Sequence, residues 1–148
     1  MPRVLYYEQH LVALGRDARA AAIMRKLVEL GAEVTLVTGG FEDAELDLSC
    51  ARFLMLPPLR ASNHSYETLV EDSGKPPDAT YRARRSQQLR DTFKNANSDV
   101  LIVETFPFGR WPFREELLLL LDRARSRCLS VGSIRDIREA KSEPTHHR

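Results

Sequence analysis

The sequence predicts an α/β fold, a single domain with a parallel sheet of about five strands in the order 3-2-1-4-5 and helices on both faces. Three observations predict it. Apolar runs of strand length recur at Val4 to Tyr7, Val34 to Thr38, Arg52 to Leu56, Asp99 to Glu104 and Cys128 to Ser133. Segments with helical periodicity lie between most of them, from Arg16 to Leu30, from Tyr81 to Ala96 and after Pro112. Right-handed crossovers between parallel strands then place helices on the sheet faces.

Val4 to Tyr7 is apolar at consecutive positions, as in a strand covered on both sides, and belongs at the sheet centre. In the helical segment after it, Ala20, Ile23, Leu27 and Leu30 recur on one face while Arg19, Arg25, Lys26 and Glu29 fall mostly elsewhere. Gly31 follows as the candidate C-cap. The second strand ends in Thr38-Gly39-Gly40, where the backbone turns sharply or lets a ligand approach closely.

Phe41 to Ala51 is acidic and loop-like, and Pro57-Pro58 stops the third apolar run, a short strand nearer the sheet edge. Leu59 to Thr80 is too polar and interrupted for a core element, so it is either a functional lid or a flexible excursion. Tyr81, Leu89, Phe93 and Ala96 share one side of the second helix, whose other sides carry Arg82, Arg84, Arg85 and Arg90 as a solvated basic face.

Asp99 to Glu104 returns to the doubly covered pattern and runs into the aromatic loop Thr105 to Arg110. Pro112 suits the first turn of a third helix, Glu115 and Glu116 favour its positive end, and Leu117 to Leu121 supply apolar surface. The fifth strand precedes Ile134 to Ile137 and a polar tail, 138–148, that includes His146 and His147. In this strand order the topological switch point lies between strands one and four. The loops at His10 to Arg16 and at Glu104 to Arg110 then flank one crevice, where open α/β sheets bind ligands.

With 148 residues, 43% hydrophobic and 29% charged, the chain has room for one proper core. Its 22 basic and 21 acidic side chains leave a net charge of +1, which excludes a global field favouring nucleic acid or an anionic membrane. Cys50 and Cys128 lack CxxC spacing and read as buried free thiols in a reducing compartment. The first apolar run is too short for a signal sequence and no later one approaches a membrane span, so the expected location is cytoplasmic.

No G-x-G-x-x-G follows the first strand, no G-x-x-x-x-G-K-[ST] phosphate loop occurs, and G-x-S-x-G is absent. A dinucleotide enzyme, a P-loop nucleotidase and a hydrolase elbow are therefore unsupported, and no cofactor is expected. No metal constellation is apparent either, since His64 stands alone and His146-His147 sits in the tail. What remains is a helix start preceded by Gly15 and flanked by Arg16 and Arg19. Backbone N–H groups and the helix dipole favour a phosphate or carboxylate there, although arginines that merely hydrate a helix start give the same pattern.

Four ordered segments carry a family resemblance: YYEQHLVALGRDARAAAIMRKLVELGAEVTLVTGG, LPPLRA, DVLIVETFPFGRWPFREELLLLLDRAR and SIRDI. Together they resemble the N-terminal region of predicted glycosyltransferases related to glycosyltransferase family 28, a wider group that includes the peptidoglycan N-acetylglucosaminyltransferase. The resemblance spans most of Met1 to Ile137 and implies the GT-B arrangement of two Rossmann-like domains. In it the N-terminal domain, here 1–137, holds a sugar or lipid-linked acceptor and the C-terminal domain binds the nucleotide sugar. A lipid-linked acceptor implies a peripheral position at the inner face of the membrane.

Position by position, the family's G-x-G-H loop falls on Ala13-Leu14-Gly15-Arg16, so only Gly15 matches. Arg16 cannot serve as a base at neutral pH but still pairs with phosphate. Acceptor or phosphate contacts are also expected from Arg19 at the helix start, from Gly39 and Gly40 at the end of strand two and from Arg110 in the aromatic loop, and the resemblance matches Arg135 and Asp136 to an S-x-R-D segment. His10 matches the family's Q-H and Glu104 the acidic residue before F-P-F-G-R, implying catalytic roles. A carboxylate at a strand end binds sugar hydroxyls or acts as a base, and equally ties a loop; His10 is equally readable as a packed, hydrogen-bonded side chain.

Relatives continue past S-x-R-D-I with a donor-binding domain, whereas this sequence diverges after Ile137. The expectation is an acceptor-side domain inactive alone, completed by a donor-domain chain or by self-association, since transfer needs donor, acceptor and base held together. The other expectation is a noncatalytic ligand- or anion-binding module, favoured by Ala13 and Arg16.

Overall fold

A computed structural model describes residues 1–11, 18–40, 49–62 and 68–134. Five parallel strands form the main sheet: β1 (Arg3–Glu8), β2 (Glu33–Thr38), β3 (Arg52–Met55), β6 (Val100–Glu104) and β7 (Leu129–Ser133). Two further strands, β4 (Arg60–Ala61) and β5 (Leu69–Val70), pair antiparallel on their own. The main order is β3-β2-β1-β6-β7, which is the predicted 3-2-1-4-5 once the small pair is set aside. The chain therefore folds as a single Rossmann-like α/β domain.

Alternation along β1 decides which helix covers which face. Val4 and Tyr6 point to one side, with Val34 and Leu36 of β2, and pack against Ala20 and Met24 of α1 (Ala18–Glu29). Leu5 and Tyr7 point to the other side, with Val37, Leu101 and Val103. There they meet Leu89 and Phe93 of α2 (Ala79–Ala96) and Leu117, Leu120 and Ala124 of α3 (Arg114–Ala124).

The helix ends follow local chemistry. Asp78 caps α2 by accepting from the Tyr81 backbone N–H at 2.7 Å. After α1, Gly31 takes φ +93°, its N–H meets the Val28 carbonyl and that of Ala32 meets Leu27, a paired closure that glycine adopts without a Cβ clash. Leu30, expected on the apolar face, is exposed because it sits where this closure turns the chain away.

Four other expectations change. Arg85 is fully buried instead of solvated, because it turns inward onto Glu116 and a set of carbonyls. The stretch from Leu59 to Thr80 is not wholly excluded from the core: Leu59, Leu69 and Val70 are buried around the β4–β5 pair. Cys50 is exposed and Cys128 half-buried, since the first lies in a turn before β3 and the second at the entry to edge strand β7. Of Leu117 to Leu121 in α3, only Leu117 and Leu120 are buried while Leu118 and Leu119 face out, because one helix presents one stripe to the sheet.

Among the described residues no helix is long and apolar enough to cross a membrane. The tail 138–148, with His146 and His147, lies outside the described residues, as does His64.

Candidate functional site

The carboxyl ends of β1, β2 and β6 meet at the switch point, and each ends in a polar residue: Glu8, Thr38 and Glu104. Glu8 stands beside Thr38 in register, while Tyr7 and Val103 are the last paired positions of β1 and β6, so Glu104 follows one step beyond. Alternation directs all three toward the face that carries α1. The result is two buried carboxylates on adjacent strands, with different partners.

Glu104 has a donor on each oxygen. Its Oε2 accepts from the Tyr6 hydroxyl at 2.5 Å, and its Oε1 accepts from Nη1 of Arg19 in the first turn of α1. The other Arg19 nitrogen, Nη2, donates to Ser133 Oγ and to the Ile134 carbonyl, each at 2.9 Å. Arg19 thus ties the start of α1 to the ends of β6 and β7. In this arrangement each oxygen of Glu104 already accepts from a side chain of this chain, and Arg19 is committed to Glu104, Ser133 and Ile134.

Glu8 is only half satisfied. Its Oε2 accepts from the Thr38 hydroxyl at 3.0 Å and lies 3.3 Å from Nδ1 of His10, whereas Oε1 is buried without a hydrogen-bond partner. The imidazole of His10 lies against Gly40, where an added Cβ would come within 2.3 Å of the ring. Gly39 is equally constrained, since a Cβ there would lie 1.9 Å from Gln9 Oε1 and 2.0 Å from Arg85 Nη2. Both glycines therefore make room for side chains of this chain.

Behind the corner, Gln9 and Arg85 form its frame. Gln9 Nε2 donates to the His10 and Leu59 carbonyls at 2.8 and 3.0 Å, and Gln9 Oε1 accepts from Arg85 Nη2. Arg85 Nη1 donates to the Gly39 and Pro57 carbonyls at 2.9 and 2.7 Å, and its Nε faces both oxygens of Glu116. Tyr7 donates its hydroxyl to Glu116 at 2.8 Å. Burial first, and then the neighbouring Glu116 charge, push the Tyr7 phenol well above its usual range.

The aromatic loop after β6 closes the other side. Thr105 and Arg110 both take positive φ, and the guanidinium of Arg110 donates to the Gln9 carbonyl, joining the two loops that flank the switch point. Phe106 is buried and stacks on Trp111 with centroids 6.4 Å apart, whereas Phe108 and Trp111 remain exposed. A separate cavity of about 340 Å³ lies between the starts of α2 and α3, lined by Arg82, Ser86, Phe113, Glu115 and Leu119 among others, and does not include the corner.

Of the residues predicted for the site, His10, Gly39, Gly40, Glu104, Arg19 and Arg110 come together on this edge. Gly15, Arg16, Arg135 and Asp136 lie outside the described residues. Sequence reasoning missed Glu8, whose signal was a charged residue closing an otherwise apolar run, and it missed Gln9, Thr38 and Arg85. Among the described residues no group of three or more His, Cys, Asp or Glu is placed to hold a metal ion.

Fold and site together define a doubly wound α/β domain with a polar, partly desolvated corner at its switch point. No protein-family model matches the chain, and no curated protein does. Among solved structures, that of apo UGT2 from Phytolacca americana is similar over 90% of this chain and 29% of that one, at 10% identity and a TM-score of 0.44. The chain thus spans less than a third of that protein's length.

Proposed function

We propose that this domain is the acceptor-binding lobe of a glycosyltransferase-like enzyme of the GT-B kind. On this reading it holds a sugar or lipid-linked acceptor at the switch point and requires a nucleotide-sugar-binding lobe, from the same protein or a partner, for hexosyl transfer. The observation that carries the reading is the convergence of His10, Glu8 and Glu104 on one strand edge, in the segments that resemble the glycosyltransferases. Among the described residues no strand pairs with the outer edge of β7, where Leu129 and Val131 are exposed, and this supports a covering partner, either a donor-lobe chain or a second copy. Light scattering that finds a monomer at all concentrations overturns the second copy.

The test is to record sugar binding by saturation-transfer NMR on the purified chain, then to mix it with a separately expressed donor lobe of a related enzyme and measure product that depends on nucleotide sugar. Sugar binding alone and transfer only in the mixture are the expected results. Absence of both binding and complementation overturns the reading.

A second reading is favoured by a specific observation. Glu104 has both oxygens engaged by Tyr6 and Arg19, and the family histidine position carries Arg16, which together fit a noncatalytic binding module. Acceptor bound without turnover in the presence of a competent donor lobe distinguishes it.

A further inference from the structure

The two carboxylates at the switch point differ in one respect. Glu104 has a donor on each oxygen, whereas Glu8 has donors on Oε2 alone and leaves Oε1 buried and unpartnered. The Glu8 side chain is 7% exposed, so bulk water does not supply the missing donor. An ionised carboxylate oxygen left without a donor in a desolvated place is costly, and a group of this kind calls for a specific partner.

Resting on the acceptor-lobe reading, we propose that Glu8 Oε1 accepts a hydroxyl of a bound neutral polyol, a sugar, at the corner formed with His10 and Thr38. The chemistry of the corner selects the class of ligand. An anion is repelled by a carboxylate whose negative charge has no arginine or lysine partner among its described contacts. A metal ion lacks ligands, since no third His, Cys, Asp or Glu joins Glu8 and His10 among the described residues. A hydroxyl supplies the single short donor that Oε1 lacks and brings no charge into a site already holding one.

Thr38 and His10 are positioning residues in this arrangement. They hold Oε2 from two sides and so fix the rotation of the carboxylate that aims Oε1. Gly40 allows the His10 ring to take its place beside them, since any side chain at that position would displace it.

The test uses the full chain and its Glu8→Gln variant. An amide retains an oxygen to accept from Thr38 and His10 but places an NH2 group where Oε1 was, so it removes the acceptor and little else. Binding of methyl glucoside, N-acetylglucosamine and glycerol is followed through the His10 ring resonances, with inorganic phosphate and methylammonium as comparison probes. Saturable sugar binding by the parent chain and a loss of about tenfold or more in Glu8→Gln are the expected outcomes. Difference infrared spectroscopy on the parent chain labelled with 13C-glutamate adds a readout independent of the variant's folding, a shift of a carboxylate band on sugar addition.

Sugar binding that is equal in Glu8→Gln, or that leaves every glutamate band unmoved, overturns the assignment of Glu8 while the acceptor-lobe reading stands. Methylammonium or phosphate in place of sugar at this atom overturns the polyol assignment. A parent chain that binds no sugar overturns this inference, and the acceptor-lobe reading falls with it only where complementation by a donor lobe is absent as well. Glycerol binding as tightly as the glycosides reduces the ligand from a sugar to any small polyol and overturns the sugar assignment.

Discussion

Arg85 holds Glu116 from inside the protein: its Nε lies 2.9 and 3.1 Å from the two carboxylate oxygens, and the arginine side chain is 1% exposed. Five residues in all supply acceptors to this guanidinium, two of them through main-chain carbonyls just past the ends of β2 and β3. The pair fastens α2 and α3 to the edge of the sheet that carries the candidate site.

Removing one partner leaves the other charge buried and uncompensated. Arg85→Met is expected to destabilise the domain by about 3–5 kcal/mol in urea unfolding. Arg85→Lys is expected to recover only a minor part, since an ammonium cannot reproduce the planar fork. A loss below about 1 kcal/mol for Arg85→Met contradicts the buried network.

The Arg19–Glu104 contact is a coupled pair of another kind, because the Arg19 side chain is 31% exposed while that of Glu104 is 4% exposed. Solvent screening reduces its worth, so Arg19→Gln is expected to cost about 1–2 kcal/mol. Adding Glu104→Gln should restore part of the loss by discharging the stranded carboxylate. A double-mutant cycle with no coupling between the two positions refutes the contact.

Tyr7 makes a pH prediction with a definite sign. Its phenol is raised well above the ordinary value of 10.0 in the folded state, so above that pH the unfolded chain binds fewer protons than the native one. The slope of unfolding free energy against pH is then negative. The Tyr7 contribution is fully present below pH 10.0 and is lost as pH rises from there through the folded value. Tyr7→Phe should flatten this part of the alkaline decline in chemical denaturation, and an unchanged slope counts against the burial of the hydroxyl.

Gly39 and Gly74 separate crowding from backbone conformation. Gly39→Ala would drive a Cβ into Gln9 and Arg85, and a loss of about 1–3 kcal/mol is expected together with shifts of the His10 resonances. Gly74→Ala meets nothing within 4 Å, but its φ of +85° penalises an L side chain by about 1–2 kcal/mol and should leave His10 untouched. Equal spectral effects of the two substitutions would show that Gly39 does not sit against the corner.

The two thiols should react at very different rates. Cys50 is exposed, whereas Cys128 is half-buried with its thiol pushed up chiefly by burial, which lowers its thiolate fraction. Ellman's reagent at neutral pH is expected to titrate Cys50 rapidly and Cys128 slowly, with Cys50→Ser removing the fast phase.

The sequence by itself determined the five strands of the main sheet, the three helices and the order of that sheet. Those properties follow from apolar periodicity and from the handedness of the crossovers, which are local or nearly so. Tertiary structure alone decided what the polar groups do. Tyr6 and Arg19 reach Glu104 across 98 and 85 residues, and Arg85 reaches Glu116 across 31. A surface helix and a buried ion pair use the same arginine letter, and only the folded neighbourhood supplies the counter-charge that tells them apart. For the same reason Glu8 reads in one dimension as the end of a strand, and in three as a carboxylate with one oxygen unsatisfied.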